Sequence, residues 1–138
     1  GDMLAPEQYG TNVAIRPRSQ ERVEFAIRLP GRTGDAPVWL PIDAKFPLED
    51  YQRLVQARED GDADGETLAL KQLEIRLKSE AKDIRDKYIA PPYSTDFGLL
   101  YLPLEGLFAE AVSRPGLVSE LQRKYRVTWW DPPPWRRW

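Results

Sequence analysis

Asp43 and Lys45 have the residue types and the spacing for metal-assisted phosphodiester chemistry. Apolar and other residues alternate along 38–46, with the period of two expected of a strand that has one face in a core. Both side chains therefore point to the same side. A carboxylate can hold a divalent cation, and an ammonium can orient the attacking water or stabilise charge that develops on a phosphate. By itself a D-x-K pair is very short, and a surface ion pair on a strand is the simpler interpretation.

A second strand is predicted at 23–29, where Val23, Phe25 and Ile27 alternate with other residues. The connector 30–37 is rich in glycine and proline, so the two strands should form a hairpin. Two registers bury Val23, Phe25 and Ile27 together with the apolar residues of 42–46. One puts Glu24 opposite Asp43 and the other puts it opposite Lys45, with facing Cβ atoms roughly 5 Å apart. Burial of the apolar side thus gathers Glu24, Asp43 and Lys45 on the other side of the hairpin.

Four segments resemble one family in the same order along the chain: VEFAIRLPG at 23–31, PIDAKFPL at 41–48, AKDIRDKYIAPP at 81–92 and LPLEG at 102–106. They look like the RmuC family of bacterial DNA recombination proteins, and the resemblance covers 23–128. That family is similar to the PD-(D/E)xK nucleases, which carry an acid at the end of one strand and a D/E-x-K on the next. The resemblance implies Glu24, Asp43 and Lys45 as catalytic residues, with Glu24 and Asp43 as metal ligands. Glu24 departs from the pattern, because many such nucleases have Pro-Asp where this chain has Val-Glu.

Composition restricts the chemistry. The 138 residues contain no cysteine and no histidine, which excludes thiol and histidine nucleophiles and Cys/His zinc sites. Hydrolysis must then use carboxylates, lysine and a hard cation, Mg²⁺ or Mn²⁺. The net charge of -2 gives no general attraction to nucleic acid, so DNA binding requires a local basic patch.

Location follows from the same composition and from the resemblance. The absence of cysteine fits a reducing compartment, and no segment is apolar enough to span a membrane. We therefore expect a cytoplasmic domain. The resemblance implies that full-length relatives carry an inner-membrane anchor and a coiled coil.

A long helix is predicted over 66–89, because apolar residues recur there at steps of three and four. This apolar seam is either the core face of the helix or a site of pairing with another copy of the chain. Four basic residues fall near one side of the seam and form a candidate DNA phosphate-binding stripe: Lys71, Lys78, Lys82 and Arg85. Acidic residues are interleaved with them, so an ordinary solvated face with helical ion pairs is the alternative.

The remaining patterns define the fold class and the domain limits. A helix follows Pro47, an apolar strand spans 97–102, helices span 104–112 and 117–124, and a strand begins at 125–128. The order ββααβααβ predicts an α/β fold, a restriction-endonuclease-like sandwich with a mixed central sheet flanked by helices. Residues 1–22 form a separate N-terminal segment, partly loop, with weakly strand-like character at 9–15.

The end of the chain, WWDPPPWRRW at 129–138, holds four of the five tryptophans and three consecutive prolines. A strand cannot continue through those prolines. Because tryptophan has the single codon TGG, the DNA can be partly reconstructed. If one G is restored in front of the reconstructed DNA, the reading frame shifts and the translation becomes Val-Val-Gly-Pro-Thr-Thr-Leu-Ala-Ala-Leu, which looks like RmuC sequence. We interpret 129–138 as a frameshift product, with a natural proline and aromatic partner-binding tail as the alternative.

Two functions follow. The first is a DNA recombination-associated, metal-dependent nuclease domain that hydrolyses DNA phosphodiesters. The second is a non-catalytic nuclease-like module that binds DNA or a partner. We expect the fragment alone to be inactive, because nucleases of this class take another acid from a helix before these strands and no such helix is evident before Glu24.

Overall fold

The computed structural model describes residues 8–31 and 36–131. Five strands form one sheet in the order β1 (Tyr9–Val13), β2 (Val23–Leu29), β3 (Val38–Ala44), β4 (Gly98–Tyr101) and β5 (Val127–Trp129). The first three are antiparallel neighbours, whereas β3, β4 and β5 run parallel to one another. The predicted α/β class with a mixed sheet is confirmed.

Helices fill the connections between the parallel strands, as parallel strands require. Helices α1 (Leu48–Glu59) and α2 (Ala63–Tyr88) link β3 to β4. Helices α3 (Glu105–Ser113) and α4 (Leu117–Glu120) link β4 to β5, and α4 continues into a π-helical turn at Leu121–Tyr125. The predicted order of elements from 23 onward is therefore confirmed.

Helix α2 begins three residues earlier than the sequence predicts. The side chain of Asp62 accepts a hydrogen bond from the Gly65 backbone N–H at 2.9 Å, which caps the first turn of the helix. Asp64 and Glu66 lie in that turn and complement the positive end of the helix dipole.

The apolar seam of α2 is its core face. Leu73, Leu77, Ala81 and Ile84 are each at most 1% exposed and belong to one cluster with residues of the sheet and of the other helices. The structure thus decides between the two interpretations of the seam, because side chains buried inside the domain are not available to pair with another copy.

The β2–β3 hairpin has the first of the two predicted registers, with Phe25 opposite Ile42 and Ala26 opposite Pro41. The predicted core side of this hairpin is wrong in part. Val23 and Ile42 are buried as expected, but Phe46 is 52% exposed.

The helices pack on the sheet face that carries Ala26, Pro41 and Gly98. Ala26 is fully buried, and a Cβ added to Gly98 would lie 3.1 Å from Cγ2 of Ile84 on α2 and 3.4 Å from Cγ of Pro41. The same alternation places Asp43 and Lys45 toward the helices rather than on an open side. Alternation defines two faces of a strand, but the packing of distant helices decides which face becomes the core.

The other face of the sheet carries an apolar hollow. Its lining consists of strand residues, Pro103 and Trp130, with no helix residue among the described residues that line it. Phe25, Ile27 and Tyr101 contribute to this lining. The helices described here therefore do not flank this part of the sheet on both sides as the predicted sandwich requires.

The last described residues continue the sheet beyond β5. The Trp130 N–H donates to the Leu100 carbonyl at 2.8 Å, and its ring meets Tyr101 edge-on at 5.6 Å between centroids. Residues 132–138, most of the proposed frameshifted tail, lie outside the described residues, as do 1–7 of the N-terminal segment and 32–35 of the connector. Within the described part of the chain, no helix has the length and apolarity needed to cross a membrane.

Candidate functional site

Asp43 and Lys45 lie at the end of β3, where that strand runs beside β4. Asp43 is opposite Leu100, and the Lys45 N–H donates to the Tyr101 carbonyl at 2.9 Å. This backbone hydrogen bond holds Lys45 in register although β3 ends at Ala44. The two side chains therefore share one side of the chain, and Lys45 Nζ lies 3.1 Å from Asp43 Oδ2.

Helix α2 adds two carboxylates to this pair. Lys45 Nζ donates a 2.8 Å hydrogen bond to Asp83 Oδ2 and lies 3.2 Å from Glu80 Oε2. Residues three apart on a helix share a face, so Glu80 and Asp83 approach the strand together. The ammonium of Lys45 is thus surrounded by three carboxylates, from Asp43, Glu80 and Asp83.

Asp43 is the most buried member of this cluster, at 8% exposed. Its Oδ2 is buried and, although the Lys45 ammonium is close, lacks a hydrogen bond of good geometry. Burial raises the pKa of Asp43, the Lys45 charge opposes that rise, and the charges of Asp83 and Glu80 add to it. Since burial and the two neighbouring carboxylates together outweigh the nearby ammonium, the ionised Asp43 carboxylate is held in an unfavourable environment.

The pKa values of Lys45 and Asp83 shift in the directions expected of a strong ion pair. Burial acts to lower the pKa of Lys45, but the hydrogen bond to Asp83 and the charge of Asp43 outweigh it and raise that pKa. Burial acts to raise the pKa of Asp83, but hydrogen bonds from Lys45 and Lys87 lower it. Lys87 lies 2.9 Å from Asp83 Oδ1. Lysine at position 45 is therefore charged throughout the physiological pH range.

The C-terminal end of α2 is anchored beside this cluster. Tyr88 donates its hydroxyl to the Arg22 carbonyl at 3.2 Å, and Arg16 Nη1 donates to the Lys87 carbonyl at 2.6 Å. Burial raises the pKa of the Tyr88 hydroxyl, and the charge of Asp43 adds to that rise. These contacts connect α2 to residues that precede β2 in the chain. Glu24 is the second residue of β2.

Glu24, the other acid implied by the family resemblance, is exposed and lines the apolar hollow. The β2–β3 ladder ends at the pair Phe25 and Ile42, one step before Glu24 would oppose Asp43. Among the described residues, no ion pair involves Glu24. The structure therefore brings Asp43 and Lys45 together and joins them to Glu80 and Asp83, whereas Glu24 makes no such contact.

Glu80 and Asp83 are site residues that the sequence reasoning missed. Their spacing places them on one face of the long helix, but acids interleaved with lysines are also typical of a solvated face. The only sequence signal was this spacing of three, which does not tell which strand the helix face meets.

The cluster suits a hard cation in its donor chemistry, since carboxylate oxygens are the ligands that Mg²⁺ and Mn²⁺ prefer. The buried Asp43 Oδ2 has the Lys45 ammonium beside it, at 3.1 Å and without a hydrogen bond of good geometry. Within the described ranges, no three acidic side chains are close enough together to hold a metal ion by themselves. A cation here would therefore have to be held by one or two carboxylates, with water or substrate oxygens as the other ligands.

The basic residues of the proposed DNA stripe are mostly paired with acids. Lys78 Nζ lies 2.7 Å from Glu120 Oε2 and 3.6 Å from Glu74 Oε1. Lys82 and Arg85 both contact Asp86, each at 2.9 Å. Lys71 is exposed. The helical ion pairs expected of an ordinary solvated face are thus present along most of the stripe.

Comparison with known proteins assigns the chain to a family. The RmuC family model matches residues 2–132, a longer stretch than the motifs at 23–106 indicate. Two proteins named "DNA recombination protein RmuC homolog", from Xylella fastidiosa strains Temecula1 and 9a5c, are each 54% identical to the chain over 125 residues. The match covers 90% of this chain but 27% of each relative, so the chain spans about a quarter of the length of these relatives. No solved structure matches the chain. A family match over nearly all of the residues, in agreement with the motifs around Asp43 and Lys45, means that the chain belongs to the RmuC family.

Proposed function

We propose that this domain is a metal-dependent nuclease module that hydrolyses DNA phosphodiesters in the course of DNA recombination. The relatives named as DNA recombination proteins support the biological role. The observation that supports the nuclease chemistry is the position of the charged Lys45 between the buried carboxylate of Asp43 on β3 and two carboxylates on α2.

In this proposal Asp43 is the principal metal ligand. Its carboxylate is buried and placed by the parallel pairing with β4, and its Oδ2 has the Lys45 ammonium beside it at 3.1 Å. Glu80 is our choice for the second ligand, because it already lies beside the same ammonium, and Glu24 is the candidate that the family resemblance implies. A bound Mg²⁺ or Mn²⁺ would activate a water and polarise the phosphate.

Lys45 acts in this scheme through its charge and its donors. Its raised pKa keeps it an ammonium, so it can donate hydrogen bonds to an attacking water or to a phosphate oxygen but cannot serve as a general base at neutral pH. Asp83 holds the ammonium at 2.8 Å and so positions it. A positioned cation near the scissile phosphate stabilises the additional negative charge of the transition state.

A second candidate is a nuclease-like module that binds DNA or a partner without cutting. One observation favours it. Lys45 is already engaged by three carboxylates, so its charge is neutralised inside the domain in the same way as in a purely structural ion pair. In that case the cluster only fastens α2 to β3.

Cleavage of labelled DNA in Mn²⁺ by this chain and by the full-length protein tests the choice. If the site is catalytic, Asp43→Asn and Lys45→Met each abolish cleavage while circular dichroism shows a retained fold. Asp64→Asn, at an exposed acid in the first turn of α2, is the matched control and should cut normally. Absence of divalent-dependent cleavage by the full-length protein, or equal cleavage by all variants, would favour the non-catalytic module.

A further inference from the structure

We propose that DNA phosphates bind a basic surface at the end of the last helix, formed by Arg85, Arg123, Lys124 and Arg126. We call it the C-terminal basic surface. The inference rests on the proposed DNA partner. It places the DNA contact mainly outside the stripe of basic residues on α2 that the sequence indicates. Only Arg85 is common to the two sets.

The first reason is that most of these basic side chains lack a close counter-charge in the described part of the chain; the exception is Arg85, whose Nε lies 2.9 Å from Asp86 Oδ1. Arg123 and Lys124 are exposed, and neither forms an ion pair with another described residue. The nearby acid is Glu120, whose pKa is lowered mainly by its hydrogen bond from Lys78 and also by the charges of Lys124 and Arg123. Arg126 is 61% exposed in its side chain, with its nearest carboxylate, on the 74% exposed Asp96, 3.9 Å away. An exposed pair at that distance contributes little and is easily exchanged for a phosphate. Lys78 of the α2 stripe, by contrast, is held by Glu120 and Glu74.

The second reason is that the backbone presenting these charges is rigid. The π-helical turn is anchored in the core by Leu121, fully buried, and Tyr125, 7% exposed. Such turns occur frequently at functional sites. A fixed backbone lowers the entropic cost of placing long basic side chains on a phosphate chain.

Arg126 reinforces this rigidity. It has a φ of 59°, in the left-handed region that residues other than glycine seldom occupy. Two hydrogen bonds hold it there: its N–H donates to the Gln122 carbonyl at 3.0 Å, and its carbonyl accepts from the Gly98 N–H at 2.9 Å. The strained residue is therefore fastened to both the helix and the sheet, so its side chain leaves the surface from a fixed point.

The third reason is that contacts between α2 and the π-helical turn hold the basic side chains together. Arg85 Nη1 donates to the Lys124 carbonyl at 3.5 Å, and the Arg85 guanidinium carbon lies 5.2 Å from the centre of the Tyr125 ring. Lys124 Nζ lies 5.4 Å from the centre of the same ring. Arg85 and Asp83 are two residues apart on α2 and so point to different sides of the helix, Asp83 toward Lys45 and Arg85 toward the π-helical turn. The C-terminal basic surface is therefore separate from the Lys45 cluster.

Salt-dependent binding of the 138-residue chain tests the inference, with EDTA present so that no cleavage can occur. Fluorescence anisotropy is measured with labelled DNA of about 20 base pairs, and with one of its single strands, from roughly 50 to 200 mM salt. Comparison of the duplex with the single strand identifies which form of DNA supplies the phosphates. The paired variants are Arg123→Gln with Lys124→Gln, and Lys71→Gln with Lys82→Gln. Each double variant removes two positive charges, so the second is a control for net charge.

We expect the Arg123/Lys124 double variant to lower the slope of log affinity against log salt by about two on duplex DNA, and by somewhat less on the single strand. Affinity at low salt should fall roughly tenfold or more. The Lys71/Lys82 control should bind almost as the unaltered chain does. Equal losses in both double variants, no loss in the first, or no binding by the unaltered chain at low salt would overturn the inference.

This outcome is separable from the outcome for catalysis. Binding by the chain that depends on Arg123 and Lys124, together with no cleavage in Mn²⁺ by the full-length protein, would refute the nuclease and support the surface. Cleavage that does not depend on Arg123 and Lys124 would support the nuclease and refute the C-terminal basic surface.

Discussion

The hydrogen bond of 2.8 Å from Lys45 Nζ to Asp83 Oδ2 joins the end of β3 to the C-terminal part of α2. The two residues are 38 positions apart, and the contact brings the α2 carboxylates to a strand that the sequence pairs with Glu24. A charge-assisted hydrogen bond in a partly buried position is both a structural link and a way to position the lysine.

Lys45→Met should destabilise the domain by roughly 2–3 kcal/mol. Removal of the ammonium leaves three carboxylates near one another without a compensating charge, and loss of one partner of a buried ion pair is costly. Urea denaturation at neutral pH measures the change. Lys71→Met, at an exposed position on α2, is the control and should change stability little. Equal stability of the two variants would contradict a central role for Lys45.

Asp43→Asn should leave stability unchanged or raise it by up to about 1 kcal/mol at neutral pH. The pKa of Asp43 is raised by burial, so the folded state binds its proton more tightly than the unfolded chain does, and the ionised form costs stability above the folded-state pKa. Thermal melts of this variant and of wild type provide the comparison. A drop of several degrees at pH 7 would mean that the Lys45 pair outweighs burial.

Asp83→Asn should destabilise the domain in a pH-dependent way. The folded-state pKa of Asp83 is lowered, so its contribution is fully present above the unfolded-state pKa and is lost as the pH falls through the folded-state value. We therefore expect a loss of roughly 1 kcal/mol that is constant from pH 7 to about 5 and shrinks below about pH 4. Denaturation curves of both proteins across this range measure it. A loss that stays constant down to strongly acidic pH would show that the Asp83 charge is not responsible.

Glu80→Gln and Glu24→Gln should separate the two candidates for the second metal ligand. If α2 supplies it, Glu80→Gln weakens Mn²⁺ binding about tenfold or more, while Glu24→Gln has a small effect. Calorimetric titration of Mn²⁺ into each variant measures affinity directly and does not depend on cleavage. The opposite ranking would restore Glu24 to the role that the family resemblance implies.

Leu77→Ala should cost roughly 2–5 kcal/mol, because the Leu77 side chain is fully buried at the centre of the α2 seam. Ile75→Ala is a matched change two residues earlier, at a position 58% exposed, and should be close to neutral. Urea denaturation of the pair compares them within one helix. A large effect at Ile75 would indicate that this side chain is covered in solution, as it would be in an oligomer.

Local patterns in the sequence were sufficient to predict the elements of this fold. Alternation predicted β2 and β3, spacings of three and four predicted α2, and the glycine- and proline-rich connector predicted the hairpin, because each of these signals depends on neighbouring residues only. The same alternation put Asp43 and Lys45 on one side, which the 3.1 Å separation of their charged atoms confirms.

Tertiary structure alone decided what those side chains meet. A strand with small or apolar residues on both faces does not specify which face the helices cover, and here they cover the face of Ala26, Pro41 and Asp43. That choice buried Asp43, raised its pKa, and brought Glu80 and Asp83 to Lys45 in place of Glu24. The physical reason is that periodicity is a local property of the chain, whereas burial and charge pairing depend on packing between residues far apart in sequence.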